Sequence, residues 1–110
     1  MFNKTVITSI LVLIAGNSIA GEWSSTTNID WLYPTTTGLI FATKDYSNTD
    51  YSSCDNGRRY FISTSHANYE TLSSSMMAAF MANRKVKVNI DVPPQPSCSP
   101  TINRAIIYSN

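Results

Sequence analysis

The runs YETLSSSMMAAFMA (Tyr69–Ala82) and KVKVNIDV (Lys85–Val92) decide the class of fold. In the first, Tyr69, Leu72, Met76, Ala79, Phe80 and Asn83 fall at i, i+3, i+7, i+10, i+11 and i+14, which is one face of an α-helix. Asn68 stands where an N-cap is wanted, and Glu70 lies in the first turn, where a carboxylate suits the helix dipole. Asn83 can take the left-handed conformation that ends a helix. In the second run Val86, Val88, Ile90 and Val92 alternate with Lys85, Lys87, Asn89 and Asp91, the pattern of a half-buried strand. A period of 3.6 gives way to a period of 2 within a few residues, so helix and sheet share one core.

Outward from this pair the chain reads as strands. Gly38 opens Leu39–Lys44 (LIFATK), apolar on both faces at its start. Asp45–Gly57 is rich in turn formers, with turn signals at Asn48-Thr49-Asp50 and Asn56-Gly57 and room for a short strand over Tyr51–Cys54. Arg58–Thr64 follows, dense in aromatic and β-branched residues. Beyond Lys85–Val92, the prolines of Pro93–Pro96 force an extended loop, and Ile102–Tyr108 forms a last strand. The order strand, short strand, strand, helix, strand, strand predicts an α+β, mainly β fold: a small OB-like five-stranded barrel with one helix at its end. Leu72, Met76 and Phe80 would face inward. Gly21–Thr37, polar and interrupted by Pro34, reads as an irregular lead-in and, with the Pro-rich loop, as the most mobile part.

The start of the chain reads as an address. Lys4 supplies a positive end, Val6–Ala15 an apolar run of ten residues, and Ser18-Ile19-Ala20 a small-x-small cleavage site. Spanning a bilayer takes roughly 20 apolar residues, so this is a signal peptide over residues 1–20 rather than a membrane anchor. Cleavage after Ala20 would release one domain, residues 21–110, into a periplasmic or extracellular space. That space is oxidising, so Cys54 and Cys98, the two cysteines of the chain, are expected to form a disulfide. Without Lys4, seven basic and seven acidic side chains remain. That balance excludes an electrostatic nucleic-acid binder. With two cysteines and one histidine, the chain cannot supply four Cys/His ligands for structural zinc.

Residues for catalysis are few. His66 is the single histidine, with Ser65 beside it and Asp50, Asp55 and Glu70 nearby in sequence, and it reads as a solvated loop residue. There is no G-x-S-x-G elbow, no phosphate-binding glycine loop and no evident carboxylate pair. A non-catalytic protein without a cofactor or metal is expected. Ser and Thr make up 23 of the residues from Gly21 onward, with aromatics among them. Such a surface suits neutral polar ligands, sugars above all: a ring covers the apolar face of a pyranose while hydroxyls bond its OH groups. Trp31 and Tyr33 are candidate ring platforms. Their other reading is as anchors that pack the N-terminal segment on the barrel. A small exported protein-interaction domain, gripped by an exposed sheet edge, is the alternative to glycan binding.

Glu22-Trp23-Ser24, Thr37-Gly38-Leu39-Ile40, Tyr60-Phe61-Ile62, Tyr69-Glu70-Thr71-Leu72 and Lys85–Ile90 carry a resemblance. Their order and character are similar to B subunits of AB5 toxins, in the branch of subtilase cytotoxin and typhoid toxin. Three departures accompany the likeness: a different disulfide placement, a longer segment before the first strand and a shorter C-terminal region. The resemblance implies a homopentameric ring that binds sialylated cell-surface glycans and carries a separate catalytic A subunit. It also implies a sugar-binding hydroxyl just before the first strand, where Thr37 stands, and an acidic residue of the same loop, where Asp30 stands.

Overall fold

The computed structural model describes residues 21–109, so the signal peptide read over residues 1–20 lies outside the described residues. Six strands and one α-helix follow in the order β1 (Glu22–Trp23), β2 (Ile29–Thr35), β3 (Gly38–Thr43), β4 (Arg59–Ser63), α1 (Tyr69–Met81), β5 (Val86–Ile90) and β6 (Ile102–Ile107). A short 3-10 turn, Asp55–Gly57, occupies the place of the Asn56-Gly57 turn signal.

The strands form two antiparallel sheets of three, β1-β5-β6 and β2-β3-β4. This corrects the five-stranded barrel. The sheets are open and touch through isolated bridges, Thr27 with Val86 and Phe61 with Thr101. The physical reason is the lead-in. Gly21–Thr37 is not irregular: it carries β1, pairing with β5, and β2, pairing with β3. Between these strands Thr27 and Val86 exchange two backbone hydrogen bonds of 2.9 and 2.7 Å. A polar segment thus serves both sheets and takes the pairing that a closed barrel would give to its own strands.

Pro34 lies inside β2, where proline usually argues against a strand. β2 and β3 are joined by the two-residue turn Thr36-Thr37, which makes Thr35 and Gly38 a hydrogen-bonded pair. Counting back, Pro34 occupies a non-bonded position, and the N–H it lacks would have pointed off the open edge. Tyr51–Cys54 is not a strand; Ser52 alone makes a parallel bridge, to Ser97. The surrounding turn residues bond locally instead, for example Asp50 N–H to Asn48 Oδ1 at 3.0 Å.

The core lies between the sheets and α1. Leu39, Phe41, Tyr60, Ile62, Met76, Val86, Val88, Ile90 and Ile102 are buried, with Leu72 beside them and Phe80 packed against the cluster. Burying each large side chain is worth about 1.5–3 kcal/mol. Phe41, Tyr60 and Tyr46 form a tilted aromatic row with ring centroids 6.1 and 6.2 Å apart. The Tyr60 hydroxyl donates to Gly57 O at 2.7 Å, and burial holds this phenol well above its usual pKa. Asn83 ends α1 with φ 53°, the left-handed cap read from the sequence. Asn68 flanks α1 but makes no side-chain cap. Cys54 and Cys98 are disulfide-bonded and tie the loop before β4 to the loop before β6.

Candidate functional site

Register settles which side chains share a face. In the β2-β3-β4 sheet, Leu32–Phe41–Tyr60 and Pro34–Leu39–Ile62 are rows on the core face. The intervening rows, Trp31–Ala42–Arg59, Tyr33–Ile40–Phe61 and Thr35–Gly38–Ser63, lie on the opposite, outer face. That face therefore passes from an aromatic–cation pair, through two aromatic rings, to two hydroxyls.

Each row has a local cause. Arg59 holds its guanidinium 5.7 Å from the centre of the Trp31 ring, and its Nε donates to Asp55 Oδ2 at 2.7 Å. Ala42 is small enough to be buried beneath the pair. Tyr33 is 58% exposed, the outermost aromatic of the face. Phe61 is half-buried because Gly38 yields to it. A Cβ on Gly38 would stand 2.6 Å from Phe61 Cε1 and 2.1 Å from Ile62 O, so no other residue fits. The missing side chain lets the Phe61 ring lie against the sheet between Thr35 and Ser63.

The hydroxyl end continues into the turns. Thr35 Oγ1 accepts from the Thr37 and Gly38 amides at 3.2 and 3.1 Å and donates to Gly38 O at 2.9 Å. Thr64 N–H donates to Thr37 O at 2.9 Å, tying the β2–β3 turn to the β4–α1 turn. Ser63 and Ser65 share a 2.8 Å hydrogen bond. Both line a cleft of about 160 Å³ together with His66, Asp91, Thr101 and Ile102. No Lys or Arg lines this cleft among the described residues. Asp91 Oδ2 accepts from the Thr101 hydroxyl at 2.8 Å. The arrangement is one of donors and acceptors at short spacing with rings beside them.

The four residues singled out from the sequence are distributed unevenly. Tyr33 and Thr37 sit at this end of the sheet, both exposed. Trp31 is half-buried, and Arg59 occupies one face of its ring. Asp30, at the bulge between Ile29 and Trp31, turns its carboxylate to Arg58 at 3.4 Å. Thr35, Phe61, Ser63, Ser65 and Asp91 were not anticipated. The alternation of Phe61 and Ser63 with apolar neighbours was visible in β4. Their company with Tyr33 depended on β3 lying between two strands that are distant in sequence.

His66 is not a solvated loop residue. Its ring is half-buried, Nδ1 accepts from Asn68 N–H at 2.9 Å and Nε2 reaches Asn103 O at 2.8 Å. An acceptor role at Nδ1 with a carbonyl at Nε2 requires the neutral Nε2–H tautomer. Both nitrogens are spent on backbone, so the ring clips the start of α1 to β6. Among the described residues, no helix is long and apolar enough to cross a membrane, and no cluster of three or more His, Cys, Asp or Glu is placed to hold a metal ion. No family model, curated protein or solved structure matches the chain.

Proposed function

We propose that this is an exported, non-catalytic glycan-binding subunit that reads cell-surface carbohydrate on the outer face of β2-β3-β4. The observation that carries the reading is the step from the Tyr33–Phe61 row to the Thr35–Ser63 row, continued by the hydroxyls and carboxylate around Ser65, Asp91 and Thr101. A pyranose has one apolar and one hydroxylated side, and this face offers a surface for each. The resemblance to toxin B subunits points to sialylated glycans, a ring of five copies and a separate catalytic A subunit. The cleft itself, with a carboxylate and no cation, favours hydroxyls over an acidic sugar group.

Open edges on β2 and β6 are consistent with assembly. Contact between two unlike edges is heterologous, and such contacts close into rings when the rotation allows. Ile106, Ile107 and Tyr108 are exposed on and just after β6, and Met81 of α1 is 81% exposed. The same apolar surface favours the second reading, a protein-interaction domain without a glycan site.

A glycan array spanning sialylated and neutral sugars tests the proposal. Binding by the parent is expected to be lost in Tyr33→Ala and reduced in Thr37→Ala, with thermal stability unchanged because both residues are exposed. Silence across the array would overturn it. Light scattering separates the two readings: a five-fold assembly supports the ring, and a monomer favours the interaction domain.

A further inference from the structure

The β1-β5-β6 sheet repeats the device of its partner. Trp23, Asn89 and Arg104 form one row, with the Arg104 guanidinium 5.3 Å from the Trp23 ring centre. The middle residue is again fully buried, but here it is polar. Asn103 Nδ2 donates to Asn89 Oδ1 and to Asp91 Oδ1, both at 2.8 Å, which fixes the orientation of the Asn89 amide. Asn89 Nδ2 has no partner among the described residues. Burying such a donor without an acceptor is costly.

The adjacent residue is Gly21. Glu22 pairs with Ile90 and Trp23 with Asn89, and the same register puts Gly21 opposite Asp91. A Cβ on Gly21 would stand 1.8 Å from Asn89 Oδ1 and 3.0 Å from Asn103 Nδ2. Gly21 thus lies directly against the Asn89 and Asn103 amides, and a larger residue there would have to push those side chains aside. Gly21 is also the residue that export would make the first of the chain.

We propose that the α-ammonium of Gly21, released by cleavage after Ala20, is captured by Asp91 within the Asn89–Asn103–Asp91 cluster and becomes part of the fold. Hydrolysis breaks the Ala20–Gly21 C–N bond. The oxygen of water stays on the Ala20 carboxylate, and the Gly21 amine takes up a proton. A signal-type endopeptidase is the catalyst required. The register sets Gly21 across from Asp91, whose carboxylate accepts from Thr101 and Asn103 and keeps acceptor capacity for an ammonium. The neighbouring charges are committed elsewhere: Glu22 accepts from Tyr51 and Arg104 lies over Trp23. Trimming thus adds an ion pair at the edge of β1. This inference rests on the export reading, not on glycan binding.

Two measurements test it separately. N-terminal sequencing of the exported protein is expected to begin at Gly21; any other start overturns the cut. Unfolding is then compared for the chain starting at Gly21 and one carrying a single extra serine, each with and without Asp91→Asn. The extra residue moves the ammonium about 3.8 Å along the chain. Asp91→Asn is expected to raise the unfolding constant about two- to fivefold more in the Gly21 chain, the range of an exposed ion pair. That difference should fade as pH rises past about 8, where an α-amino group loses its proton. An equal effect in both chains overturns the capture, whatever the glycan array reports.

Discussion

Replacing Thr27 by valine isolates the joint between the two sheets. Thr27 is fully buried, and its backbone exchange with Val86 does not depend on its side chain. Its hydroxyl accepts from Asp45 N–H at 2.8 Å and Lys44 N–H at 3.2 Å and donates to Asn28 O at 2.9 Å. Lys44 N–H and Asn28 O also bond each other at 2.9 Å, so both keep a partner when the hydroxyl goes. Asp45 N–H is the group left unpaired. One orphaned amide costs about 1–3 kcal/mol, and the gained methyl returns about 0.8 kcal/mol. The net expectation is a loss of about 1 kcal/mol, or roughly 4–8 °C in Tm for a domain of this size. Urea unfolding with an unchanged m-value should register it. Amide exchange should accelerate at Asp45 and not at Lys44. Thr27→Ser keeps the hydroxyl, so Asp45 should stay protected in that variant. A Thr27→Val protein as stable as the parent, with Asp45 still protected, would refute the assignment of that hydroxyl as the joint.

Two further outcomes follow from other parts of the molecule. The Tyr51 hydroxyl donates to Glu22 Oε1 at 2.5 Å, and this hydrogen bond, more than burial, pushes the phenol up to about 12. Its contribution is therefore present below the ordinary tyrosine range near 10 and lost as pH rises through about 12. In Glu22→Gln, ultraviolet titration should show Tyr51 ionising nearer 10; an unchanged midpoint would remove Glu22 as the cause. Replacing Cys54 and Cys98 together by serine reopens a loop with a sequence separation of 44. The chain-entropy relation puts that loss at about 4 kcal/mol, to be read by thermal unfolding with the parent under reducing and non-reducing conditions. A loss below about 1 kcal/mol would mean that loop closure is not what the bond contributes.

Local pattern carried the reading where one residue's neighbours decide its state. The helix over Tyr69–Met81, the strand over Val86–Ile90 and the left-handed Asn83 between them needed nothing beyond periodicity and capping chemistry. The disulfide followed from compartment and count. Where pattern failed, a distant partner had intervened. Ile29–Thr35 alternates too weakly to announce a strand, and it forms one because β3 lies alongside and the position of Pro34 needs no N–H. His66 looked solvated until Asn103, 37 residues on, supplied a carbonyl.

The candidate site divides in the same way. Tyr33 could be named as a ring platform because an aromatic in a polar stretch is a local property, and Thr37 only through the resemblance to toxin B subunits. Phe61 and Ser63 joined them only through the register of β3 with both neighbours, and Asp91 only through Thr101, which bridges to Phe61 and hydrogen-bonds Asp91. By itself the chain of side chains determined which segments could bury an apolar face and therefore that helix and sheet would share one core. Whether the strands would close or remain two open sheets depended on long-range pairing. The backbone of Thr27 bonds Val86, while the chain before it serves one sheet and the chain after it the other. Hydrogen bonds between residues so far apart compete with many alternatives of similar energy, and only the assembled core selects among them.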